Sequence, residues 1–388
     1  MPVQEVLHEN GTKEAVMRPS GIIAAFILAA LCTLPVAARQ DRGGDVIQMA
    51  ILLDTSSSMD GLIGQAKTQL WKIVNELSQA RRDGRSPRLE IALYEYGKSS
   101  IPRGEGYIRM ILPFTTELDR VSEELFALTT NGGDEYCGQV IDAALKGLKW
   151  SEGRGELKVI FIAGNEPFTQ GEFDYTRSVR DAASRGITVN TIFCGSYEEG
   201  VDTKWKHGAE LSNGRYMNID HNEKIVAIRA PQDDEIKRLG AQLNQTYLAY
   251  GRGGAEKKER QAMQDKNAAL ACEESIVERS VAKASRQYDN SGWDLLDAMR
   301  DGRVKLDSME KEDLPAEMKS MSPTERAAYC AEMEKKRQKL QARINTLNEQ
   351  RRAYVAQEMK KNTAGDTLDS AIVRTVREQA GEKNYRFK

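Results

Sequence analysis

Hydrophobic positions along the chain fall into two regimes. Between residues 46 and 230, short apolar runs alternate with stretches of helical periodicity. Val46-Ile47-Gln48-Met49-Ala50-Ile51-Leu52-Leu53 is a near-continuous apolar run that reads as a strand buried on both faces. Residues 61–81 then place Leu62, Ile63, Ala66, Leu70, Ile73, Val74 and Leu77 on one face of a helix. Asp83-Gly84-Arg85-Ser86-Pro87 ends it. Segments 89–96 and 107–114 predict two strands joined as a hairpin at one sheet edge. Segments 118–128, 139–150, 174–185 and 205–212 have helical spacing, and 157–163, 187–194 and 215–219 read as further strands. Residues 221–230 close the unit as a helix. This alternation predicts an α/β fold: a Rossmann-like, mostly parallel sheet with helices on both faces.

Beyond Pro231 the strand signals vanish and Glu, Lys, Arg, Gln and Ala dominate. The pattern predicts a helix over 233–250, a hinge at Gly251-Arg252-Gly253-Gly254 and one long helix over 255–288. Residues 290–304 carry Trp293, Leu295, Leu296 and Met299 as a packing plug. Ser322-Pro323-Thr324-Glu325 is a helix start with proline at the first helical position, and the helix runs to about Lys361. Met333, Leu340, Leu347 and Tyr354 recur at heptad spacing, while Lys336, Arg337 and Arg351 interrupt the seam. An all-α, partly coiled-coil region folded as an antiparallel hairpin is therefore expected over 231–362, with a tail over 363–388.

The amino-terminal end changes the expected address. Residues 21–32 are apolar and uncharged, shorter than the roughly 20 residues that span a bilayer. Val36-Ala37-Ala38 follows as a small-residue cleavage pattern, so 1–38 reads as a signal peptide, with Met17 as an alternative start and 39–45 as a linker. Export to the periplasm or the extracellular space is expected, with membrane attachment only through this segment if it is uncleaved. Cleavage removes Cys32 and leaves Cys137, Cys194, Cys272 and Cys330, which allow three connectivities. The expected pairs are Cys137 with Cys194 and Cys272 with Cys330, each within one part of the chain. A net charge of −2 gives no reason to expect nucleic acid. The chain carries no Gly-x-Gly-x-x-Gly, Walker loop, His-Glu-x-x-His or Gly-x-Ser-x-Gly, and the reading is non-enzymatic.

The candidate chemistry sits at the end of the first strand. Asp54, Ser56 and Ser58 leave it at alternate positions, on the sheet edge where α/β folds bind ligands. A carboxylate and two hydroxyls suit a hard cation such as Mg²⁺, or Mn²⁺ or Ca²⁺. Asp54-Thr55-Ser56-Ser57-Ser58, after a buried strand and before an amphipathic helix, resembles the Asp-x-Ser-x-Ser signature of the von Willebrand factor type A (VWA) family. The resemblance covers residues 46–230. It implies a metal-ion-dependent adhesion site (MIDAS) that binds another protein through an acidic side chain.

Two positions depart from the family pattern. Where the second loop carries threonine, Glu135 stands nearest, with Asp134 as a weaker candidate. Where an aspartate follows a later strand, this chain has Gly164, with Asn165 and Glu166 as weaker candidates. One carboxylate is lost and one gained, so the carboxylate count is restored. The competing reading is a metal-independent envelope scaffold whose helical region binds partners or oligomerises.

Overall fold

The computed structural model describes residues 45–153, 155–219, 228–271, 273–361 and 368–387. The signal peptide expected over 1–38, and the closing helix as far as residue 227, lie outside the described residues. The first half comprises β1 (Val46–Asp54), α1 (Ile63–Ser78), β2 (Ala80–Arg81), β3 (Arg88–Tyr96), β4 (Ile108–Thr115), α2 (Leu118–Ala127), α3 (Cys137–Gly147) and β5 (Leu157–Gly164). It continues with α4 (Tyr175–Ser184), β6 (Thr188–Phe193), α5 (Tyr197–Asp202), α6 (Trp205–Glu210) and β7 (Tyr216–Asn218). The main sheet has the order β4-β3-β1-β5-β6-β7, parallel throughout except for the edge hairpin β3-β4.

Every residue of β1 is buried. Its alternating side chains feed two cores: Ile47, Met49, Ile51 and Leu53 on one face, Ala50 and Leu52 on the other. The chain builds outward from β1 to β3 and β4, then returns to β5 on the other side. The carboxyl end of β1 is thus the topological switch point, where such sheets open a crevice.

The helical half comprises α7 (Asp233–Asn244), α8 (Gly254–Ala271), α9 (Glu273–Lys283), α10 (Leu295–Arg300), α11 (Pro323–Lys361), α12 (Leu368–Glu382) and β8 (Arg386–Phe387). Tyr247, Val277, Val281, Leu340, Ile344, Ile372 and Val376 join the same hydrophobic cluster as Ile47 and Met49. The helices therefore cover one face of the sheet. The segment expected as a tail is α12, packed against α1, followed by β8 paired antiparallel with β2.

The single helix expected over 255–288 is corrected. Lys283 forms an ion pair with Asp265, whereas in one straight helix those residues would stand about 27 Å apart. The chain doubles back between α8 and α9. The start of α11 is as expected: the Ser322 amide donates to Glu325 at 2.7 Å and the Glu325 amide to the Ser322 hydroxyl at 3.4 Å, a capping box. α11 packs on α7 and α9. Arg337 and Arg351, which interrupted the heptad pattern, are buried against Asp294 at 2.6 Å and Asp233 at 2.7 Å.

The disulfide expectation is also corrected. Cys137, Cys194 and Cys330 are free, buried thiols, and Cys272 lies outside the described residues. Cys137 belongs to one core and Cys194 to the other, so the sheet separates them. Burial pushes both thiols well up, leaving them protonated and unreactive.

Candidate metal centre

The site is built where β1 leaves the sheet. Asp54 is the last residue of the strand and stands in parallel register with Tyr96. The next turn hooks back on it: the Ser56 amide donates to Asp54 Oδ1 at 2.7 Å. Ser56 and Ser58 hydroxyls lie 2.8 Å apart, and Ser58 donates to Asn165 Oδ1 at 2.9 Å. Three residues of the signature and one from the loop after β5 thus form a single polar chain.

Glycines let the second loop close on the first. Gly97 has a φ of +80°, and a Cβ there would stand 2.8 Å from both Asp54 Oδ1 and Glu135 Cγ. A Cβ on Gly133 would meet the Gly97 carbonyl oxygen at 2.6 Å. With neither present, the backbones touch and Glu135 reaches the pocket, 5% exposed. Its amide donates to Gln170 Oε1 at 3.0 Å, and the Asn131 amide ties the same loop to the Thr55 carbonyl at 2.9 Å. Asp134 is engaged elsewhere, accepting from the Tyr136 hydroxyl at 3.0 Å. Glu166 is half-buried, and its charge is felt by both pocket carboxylates.

The electrostatics describe a pocket short of positive charge. Asp54 is fully buried, and its Oδ2 has no hydrogen-bond partner among the described residues. Burial pushes its carboxyl up to about 7, against the opposing pull of the Ser56 hydrogen bonds. Glu135 is likewise pushed up to about 7, by burial first and then by the charges of Asp54 and Glu166. Among the described residues no three His, Cys, Asp or Glu side chains gather as a metal cluster. The donors here are two carboxylates completed by hydroxyls and a carboxamide. An all-oxygen set with an orphaned buried carboxylate oxygen fits a hard divalent cation.

Gly164 has a structural cause that the sequence did not reveal. A Cβ there would stand 2.5 Å from the Tyr96 hydroxyl and 3.0 Å from Asp54 Oδ2. Tyr96 is fully buried and donates to the Ala163 carbonyl at 3.0 Å. It occupies the space that an aspartate at 164 would need. Restoring the family residue with Gly164→Asp is therefore expected to destabilise the fold by about 2–3 kcal/mol through overpacking. Urea denaturation reads this directly, and adding Tyr96→Phe should recover part of the loss.

No family model matches the chain, and no curated protein does. Among solved structures, it is similar to the conserved hypothetical protein BatB from Bacteroides thetaiotaomicron, at 17% identity over 45% of this chain and 90% of that one, with a TM-score of 0.34. It is similar to the SpRpn10 VWA domain at 14% identity over 46% and 90%, with a TM-score of 0.36. A third is proximal thread matrix protein 1 from the mussel byssus, solved with a zinc-occupied MIDAS motif. Identity there is 12% over 46% and 43%, and the TM-score 0.35. In this chain, the type A-like architecture rests on its own sheet order and on the Asp54 loop at the head of the central strand.

Proposed function

We propose that the α/β half is an exported, non-enzymatic protein-binding module whose grip on its partner depends on a divalent cation, Mg²⁺ in the first instance. The convergence of Asp54 and Glu135 across Gly97, with one carboxylate oxygen unpartnered, carries this reading. Asp54, Ser56, Ser58 and Glu135 would hold the ion, and Asn165 would orient the Ser58 hydroxyl. The bound ion supplies a positive centre that a partner's oxygen can approach.

Glu135 changes how strongly that centre attracts. Two carboxylates match the charge of a divalent ion, whereas hydroxyl ligands leave it positive. The pull on an acidic partner side chain is accordingly weaker than in a site whose second loop offers threonine. The partner's contact is an oxygen donor held as much by shape as by charge.

The pH dependence tests the reading. Both pocket carboxyls have folded values raised to about 7 from ordinary values of 3.8 and 4.5. In the metal-free protein their contribution to stability is present below about pH 4 and lost as pH rises through 7. Cation binding requires the ionised forms, so affinity rises over the same window. The gain in melting temperature from Mg²⁺ over chelator should be small at pH 6 and grow towards pH 8. A gain that is absent, or equal at the two pH values, overturns the proposal.

A further inference from the structure

Helix α8 packs Gln261, Gln264 and Ala268 inward and turns its other face to solvent. That face carries Ala255, Glu259, Ala262, Met263, Lys266, Ala269 and Leu270, all exposed. At 100° per residue they occupy one continuous arc. Met263 and Leu270, two turns apart, are 52% and 85% exposed, the two most exposed large apolar side chains among the described residues. Single exposed apolar residues are ordinary, but a stripe of them along one helix face is not.

The charges on this face have a symmetry that the apolar residues share. Glu259 and Lys266 lie two turns apart, on either side of Ala262 and Met263, and neither has a salt-bridge partner among the described residues. Neighbouring charges on the helix flanks are spoken for: Arg260 pairs with Glu123 at 2.7 Å and Lys257 with Glu117 at 3.4 Å. If a second α8 is laid antiparallel with the two-fold axis between Ala262 and Met263, Glu259 of each copy meets Lys266 of the other. The same register sets Leu270 against Ala255 and Met263 against Ala262, large side chain to small. One patch is complementary to itself, which is the requirement for an isologous dimer.

We infer that this face of α8 is a homodimer interface, with a second copy of this chain as its occupant in antiparallel register. The seam is one helix of 18 residues, about 27 Å long. Such a contact falls short of the roughly 1,200 Å² of a stable interface, so association is weak and concentration-dependent.

Sedimentation velocity of the purified protein, from about 5 to about 500 μM, reads the equilibrium. The expected result is a monomer shifting to dimer over that range. Glu259→Lys or Lys266→Glu alone creates two like-charge contacts per dimer and should weaken association roughly tenfold or more. The double variant Glu259→Lys/Lys266→Glu exchanges the charges and should restore it to within about threefold. Leu270→Glu should abolish it. All these positions are exposed, so circular dichroism should show the same fold throughout. A protein that stays monomeric overturns the inference, as does a dimer indifferent to Leu270→Glu. Failure of the double variant to rescue overturns the antiparallel register.

Discussion

Replacing Arg337 with alanine is expected to remove about 3–5 kcal/mol of stability, the largest effect of any single substitution proposed for this chain. Arg337 is 2% exposed in the middle of α11. Its guanidinium donates to Asp294 Oδ2 at 2.6 Å, Asp297 Oδ1 at 3.1 Å, the Thr246 carbonyl at 2.6 Å and the Thr246 hydroxyl at 3.1 Å. It also lies 4.3 Å from the ring centroid of Tyr247. Asp294 in turn caps α10 through the Asp297 amide at 3.0 Å and accepts from the Leu248 amide at 2.7 Å.

Without the arginine, two buried carboxylates face each other with only Arg300, 2.8 Å from Asp297, and a few backbone amides to offset them. Asp297 is already pushed up to about 6, by burial and then by the Asp294 charge. The variant should therefore recover stability as pH falls and Asp297 takes up a proton. Arg337→Lys should rescue little, because an ammonium cannot bridge both acids and Thr246 in one plane. Urea midpoints at pH 5 and pH 8 check both statements. A loss below about 1 kcal/mol would mean that the network is peripheral to the fold.

The second large effect is at the metal pocket and changes sign with the metal. With Mg²⁺ at about 100 times its dissociation constant, the wild-type protein should gain roughly 2.7 kcal/mol over the chelated form. Asp54→Asn should lose that gain entirely. In chelator at pH 8 the same variant should be at least as stable as the wild type, because a neutral carboxamide avoids ionising a fully buried acid. Glu135→Gln should behave alike, with a smaller recovery. A residue that merely held the loop together would lose stability in both buffers.

The α/β half was legible because its signals are local. β1 is a run of apolar residues with no competing period, and Asp54, Ser56 and Ser58 mark the point where it ends. The hairpin at the sheet edge followed from Gly and Pro in the connecting loop. Glu135 was found only as the residue nearest the threonine position of the second loop, yet it is the second carboxylate of the pocket. Tyr96, Gly97, Gly133 and Gln170 were not found. Their roles depend on the parallel register of β1 with β3 and on the close approach of two loops, which no spacing in the chain encodes.

The helical half was less legible for a related reason. Arg279, Lys283 and Arg337 look like surface charges in sequence, but each is buried against acids brought from elsewhere in the chain. Arg279 meets Asp119 of α2 at 2.7 Å and Asp265 of α8 at 2.5 Å. Charge paired across helices erases the amphipathic period that would show which faces are inside. The packing of α9 back on α8 was hidden in the same way, inside a sequence of good helix formers. The cysteines misled because an even count suits an exported protein, whereas Cys137 and Cys194 face opposite sides of the sheet.

Calorimetric titration of the wild-type protein and of Asp54→Ala with Mn²⁺ at pH 8 reaches the centre of the account. One ion per wild-type chain is expected, with none taken up by the variant. Equal heats from the two proteins, or no heat from either, would contradict the cation-holding role assigned to the pocket beneath Gly97.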